Sequence, residues 1–129
     1  MKKLLAVLTL TFALSLVSHA DDKTFFGAYW TTAPKAKLYA GPMEVTLYDV
    51  GNVAGIGTVV VKASDDEGFN YEWEYMWTLS RNKKVITFTT LDMGEVVWRG
   101  SLNIVTGNLV GSFRGPLGRG RFQATPKLF

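Results

Sequence analysis

The sequence predicts an all-β fold: an eight-stranded antiparallel up-and-down barrel, calycin-like in layout and closed or nearly closed. Three observations predict it. No segment carries apolar residues at helical spacing, whereas many alternate with a period of two residues between Gly, Asn or Asp. The connections are short, which forces successive strands to run antiparallel, because a parallel crossover needs about a dozen residues or more. Eight short strands in a meander also leave two exposed edges unless the first and last pair, and closure removes those edges.

The strands follow in order. The first two are expected at residues 25–31 and 43–49, joined by the longest connection, residues 32–42, which contains Pro34 and Pro42 and is expected to lie over one mouth. Val50-Gly51-Asn52 turns into a third strand at residues 53–62, and the acidic stretch at residues 64–68 into a fourth at 69–79. Residues 80–84 lead to a fifth at 85–91, and Asp92-Met93-Gly94 to a sixth at 95–104. Residues 105–108 lead to a seventh at 109–114, and residues 115–118 to an eighth at 119–125. Gly100, Gly107, Gly111, Gly115, Gly118 and Gly120 fit strong bending and tight turning late in the chain. A barrel of eight strands has an interior just wide enough to be filled by side chains or to hold one small ligand.

Residues 1–20 read as a cleaved secretory signal peptide. Met1-Lys2-Lys3 is the positive start, residues 4–17 are apolar, and Ser18 and Ala20 are the small residues a signal peptidase accepts. The apolar run is too short for a spanning helix, and no later run approaches the roughly 20 residues one needs, so no transmembrane segment is expected. Residues 21–129 then form a single barrel domain in the periplasm or the medium, exported by a bacterial-type signal.

Without residues 1–20, Lys2 and Lys3 drop out of the 14 basic residues, leaving 12 against 11 acids and a net charge near +1. A nucleic-acid partner is not expected, because phosphate binding needs several clustered cations. The chain has no Cys, so no disulfide is available and packing alone supplies stability. Aromatic side chains, each able to bury about 150–250 Å², are the obvious source.

The strongest local pattern is the alternation through residues 69–79. Tyr71, Trp73, Tyr75, Trp77 and Leu79 share one face, and Asn70, Glu72, Glu74, Met76 and Thr78 the other. The aromatic face is expected to point inward. There it either fills the core or, with Trp30 and Trp98, lines a pocket for a small apolar, aromatic or glycan-like ligand. Core and pocket differ only in leftover volume.

The architecture resembles the calycin group of secreted barrels, which includes lipocalins and avidin-like proteins. Lipocalins carry a G-x-W motif entering the first strand, with an Arg near the last strand packed across the Trp. Gly27-Ala28-Tyr29-Trp30 is one residue longer than that motif, which turns the Trp to the opposite face, and Arg119 or Arg121 stands where the late Arg belongs. The resemblance implies binding of a small, often apolar molecule inside the barrel.

Chemistry is sparsely represented. The single His is His19, within the expected leader, so nucleophile–His pairs, thiolates and His-ligated metals are missing from the remainder. No catalytic residue, metal or cofactor is expected, and the protein is not expected to be an enzyme. Glu72 and Glu74, two residues apart on one face, are expected to be solvated. Ser80-Arg81-Asn82-Lys83 matches a Ser-x-x-Lys pattern, but in a hairpin turn rather than at a helix start. Asp65-Asp66-Glu67-Gly68 is too short a run of oxygens for a calcium cage and is expected to be an acidic turn.

All 11 acids lie between Asp21 and Glu95, so the C-terminal third is locally basic. Arg119 and Arg121 share a face, joined by Arg114 from the neighbouring strand, and this is a candidate anion-binding site. An outer-membrane barrel is disfavoured, because alternation back from Phe129 puts Lys127 and Arg121 on the lipid-facing stripe, where charge costs several kcal/mol. Two functions remain. One is a small-molecule binding barrel. The other is a module that binds a secreted protein, such as an enzyme inhibitor acting through an exposed loop at residues 33–42.

Overall fold

A computed structural model of the protein describes residues 21–34, 40–65, 67–116 and 118–126. The expected leader, most of the loop at residues 33–42, Asp66 and Lys127 lie outside the described residues or, at Ala33 and Pro34, are described in backbone only.

Eight strands follow one another without an intervening helix among the described residues: β1 (Asp21–Pro34), β2 (Ala40–Val50), β3 (Ile56–Ser64), β4 (Asn70–Leu79), β5 (Val85–Thr89), β6 (Val97–Asn103), β7 (Leu109–Gly115) and β8 (Gly118–Pro126). Each pairs antiparallel with the next, and β8 returns to β1, closing the barrel. The closing ladder runs from Phe25 opposite Pro126 to Pro34 opposite Gly118. The expected all-β meander, its strand count and its closure are all present.

Alternation sets the interior. Val45 stands opposite Val61, Leu47 opposite Val59, Ile86 opposite Leu102, and Leu109 opposite Ala124, each buried. Each Val, Leu or Ile among them contributes about 1.5–3 kcal/mol on burial. Without a disulfide, these pairs and the rings carry the fold. Among the largest buried side chains is Trp77, 1% exposed, whose indole N–H donates to the Tyr48 carbonyl at 2.9 Å.

The late glycines make room for rings. One interior row runs Phe88, Gly100, Gly111, Phe122, Tyr29 across five strands. A Cβ on Gly100 would strike the Phe88 ring, and one on Gly111 would strike the Phe122 ring and the Arg99 carbonyl oxygen. Phe88 and Phe122 lie over these two glycines, stacked at 6.4 Å and 29°. Large residues facing small ones let the sheet curve tightly around a filled interior.

Element ends differ from the sequence reading where local chemistry outweighs alternation. Val53 is 96% exposed in a turn instead of opening β3. The Asn52 amide donates to the carbonyls of Asp49 (2.9 Å) and Ile56 (2.8 Å), while its Oδ1 accepts from the Gly55 amide (2.8 Å), which holds residues 52–56 out of the ladder. Pro42, expected in the long connection, lies in β2 opposite Ala28. The β2–β3 ladder begins only at Met43, so Pro42 has a flank where its missing N–H breaks no rung.

The β4–β5 join is short. Only Trp77, Thr78 and Leu79 of β4 pair with β5, leaving residues 70–76 bonded to β3 alone.

Candidate functional site

The two ends of the barrel differ. Toward the β2–β3, β4–β5 and β6–β7 turns the interior is packed, whereas at the other end a cavity of about 510 Å³ opens inward from the β3–β4, β5–β6 and β7–β8 connections. That volume falls within the roughly 300–1,000 Å³ of small-molecule sites. The interior is therefore both core and cavity.

Trp98 is the hub of its wall. At 2% exposure it touches Tyr29 edge-on (5.7 Å, 83°), Phe113 (5.0 Å, 41°), Trp73 (5.4 Å, 60°) and Phe122 (5.7 Å, 65°). Tyr71 continues the wall outward at 6.2 Å from Trp73, with the planes only 31° apart. Edge-to-face and tilted arrangements at these separations are the favoured ones between aromatic quadrupoles. The rings hold one another in place.

Polar groups at the rim fix two of these rings. Asp65 Oδ1 accepts from the backbone N–H of Glu67 (3.0 Å) and Phe69 (2.9 Å), and its Oδ2 accepts from the Tyr71 hydroxyl at 3.2 Å. The acidic turn thus anchors a wall residue. The Tyr29 hydroxyl donates to the Ser64 carbonyl at 2.6 Å, tying β1 to the end of β3. Thr90, 3% exposed, accepts the Trp98 amide on Oγ1 at 2.9 Å and donates its own amide to the Trp98 carbonyl at 2.9 Å. That doubled bond sets where Trp98 enters the interior.

Two polar atoms are left over. The indole nitrogens of Trp73 and Trp98 are buried and have no hydrogen-bond partner. Both side chains line the cavity, together with Tyr29, Tyr71, Phe113 and Val96. A buried donor without an acceptor costs on the order of 1–3 kcal/mol. Trp77, outside the cavity, is satisfied by Tyr48.

Of the six ring residues expected to line a pocket, Tyr71, Trp73 and Trp98 do so. Trp77 faces inward as expected but belongs to the packed core. Tyr75 shares its face but is 40% exposed, because β4 has no β5 partner beside it, and it does not line the cavity. Trp30 is corrected outright: it is 39% exposed on the outer wall, opposite Arg121. The extra residue in Gly27-Ala28-Tyr29-Trp30 gives the inward position to Tyr29, which is 7% exposed. Tyr29 and Phe113 are the aromatic wall residues that the sequence reading did not single out. Tyr29 was legible from its parity with Phe25, whereas Phe113 required the β6–β7 register that sets it opposite Trp98.

The remaining fragments take structural roles. Glu72 and Glu74 are exposed on the outer wall. The Ser80 hydroxyl donates to Asn82 Oδ1 at 2.6 Å and accepts from the Val85 amide at 3.1 Å, closing the β4–β5 turn. Among the described residues no group of three or more His, Cys, Asp or Glu could hold a metal ion, and no helix is long and apolar enough to cross a membrane. Arg114, Arg119 and Arg121 come together on the outer wall, with Arg114 directly opposite Arg119.

The chain matches no protein-family model, no curated protein and no solved structure.

Proposed function

We propose that this protein binds one small, flat, largely apolar ligand carrying at least one hydrogen-bond acceptor, held in the cavity at the open end of the barrel. The observation that carries this reading is the 510 Å³ cavity walled by Tyr29, Tyr71, Trp73, Trp98 and Phe113, in which the indole N–H groups of Trp73 and Trp98 are buried without a partner. Rings supply the apolar contact, and an acceptor on the ligand supplies the missing partner of an indole that turns toward it. Asp65 and Glu95 at the rim oppose an anionic ligand. A sugar fits less well, since most of its hydroxyls would lie against rings and go unpaired. The reading is of binding without turnover, in line with a sequence that has no His or Cys after residue 20. The leader-like residues 1–20 support a site of action in the periplasm or the medium.

Tryptophan fluorescence tests it. Flat aromatic ketones and their deoxygenated parent hydrocarbons are titrated against the wild type and Trp73→Phe. A ketone that binds saturably, and about tenfold more weakly to Trp73→Phe, with no such loss for its parent, is the expected result, since about 1.4 kcal/mol is one donor's share. A panel without any saturable binder overturns the proposal.

A further inference from the structure

The outer wall opposite the cavity lining carries a second site. Its residues lie on neighbouring positions of β6, β7 and β8. Arg99 stands opposite Ser112, Ser112 opposite Arg121, and Arg114 opposite Arg119. Directly opposed residues have Cβ atoms about 4.5–5.5 Å apart, and two strand spacings put Arg99 and Arg121 about 10 Å apart. Ser112, the small residue between them, lines a hollow of about 310 Å³ to which all four arginines also contribute, beside Thr32 and Val97. The sequence pointed to three of these arginines, and Arg99 completes the ring because the β6–β7 register brings it beside Ser112.

The charges around the hollow are unbalanced. Arg114 alone is paired, its Nη2 donating to Asp92 Oδ2 at 3.2 Å. Among the described residues Arg99, Arg119 and Arg121 have no carboxylate partner. Like charges placed directly opposite on a sheet repel, and Arg114 opposite Arg119 is such a pair. Elsewhere on the wall the same chain sets Lys62 opposite both Glu44 and Glu72, so the arginine grouping is not the general pattern of its surface. Guanidinium forks match the oxygens of a tetrahedral oxyanion in pairs, which a single carboxylate such as Asp92 does not exhaust.

We propose that the hollow ringed by Arg99, Arg114, Arg119 and Arg121 is a binding site for a phosphate or sulfate monoester. The site is separate from the cavity and does not depend on it. The oxyanion is met by the side wall of β6, β7 and β8 rather than by the mouth. Its source is either a soluble monoester or a phospholipid headgroup, and the two are separable by experiment.

The test uses the full chain with inorganic phosphate, inorganic sulfate, phenyl phosphate, and vesicles of phosphatidylcholine with or without phosphatidic acid. Saturable calorimetric binding of phosphate or phenyl phosphate, weakened about tenfold by each of Arg99→Gln and Arg121→Gln and unchanged by Lys84→Gln, is the expected result. Lys84→Gln removes the same charge from a distant turn and so separates a site from net charge. Vesicle capture that requires phosphatidic acid and is displaced by phenyl phosphate assigns the headgroup as source, and phosphate binding without vesicle capture assigns the soluble monoester. Absence of saturable oxyanion binding at millimolar concentrations overturns the proposal. Vesicle capture indifferent to Arg99→Gln, or to competing phenyl phosphate, overturns it as well.

Discussion

Tyr29 and Ser64, 35 residues apart in the chain, are joined at the barrel mouth by a 2.6 Å hydrogen bond from the phenol to the backbone carbonyl. The same ring stands edge-on to both Trp98 and Phe113 at 5.7 Å. One side chain therefore fastens β1 to β3 and steadies the hub of the aromatic wall.

Tyr29→Phe keeps the ring and removes the bond. A loss of about 1 kcal/mol in urea unfolding is expected, the usual net worth of one such bond. An unchanged midpoint would show that water takes the place of the hydroxyl at Ser64.

Thr90→Val keeps the shape of a buried polar side chain and removes the acceptor of the Trp98 amide. About 1–3 kcal/mol of stability should be lost, because that N–H then lies buried and unpaired. The near-ultraviolet circular dichroism of the tryptophans should change with it, reporting the displaced indole.

Gly111→Ala places a methyl group against the Arg99 carbonyl oxygen and the Phe122 ring. Because one obstacle is backbone, relief needs the β6–β7 ladder to shift, and a destabilisation of about 1–3 kcal/mol or more is expected in thermal unfolding. Wild-type stability in this variant would mean that the ring and strand give way freely.

Trp30→Phe and Trp77→Phe should separate surface from core. Trp30 lies on the outer wall, so its replacement should leave both stability and ligand affinity within error. Trp77 fills the packed end and donates to Tyr48, so its replacement should cost about 2–4 kcal/mol in denaturant unfolding while leaving the cavity's ligand contacts in place.

Much of the barrel was legible because period-two alternation and short connections leave few topologies. Val45 and Leu47 declare an inward face by parity alone, and Trp73 and Trp77 do so within β4. What escaped depends on the third dimension. Parity sends Tyr75 inward, but whether a neighbouring strand covers it depends on how far the β4–β5 ladder runs, which no residue near Tyr75 encodes. Val53 reads as strand until the Asn52 side chain is seen to bond on both sides of it. Arg99 and Phe113 joined their sites through register, a property of strand pairs rather than of any one segment.

A hoop gives way at its weakest weld, and in this cylinder the weld is the brief union of β4 with β5 at Trp77, Thr78 and Leu79. Thermal breathing concentrates there, so the amides of residues 70–76 should exchange with deuterium ahead of the β1–β8 closure, whose ladder extends from Phe25 to Pro34.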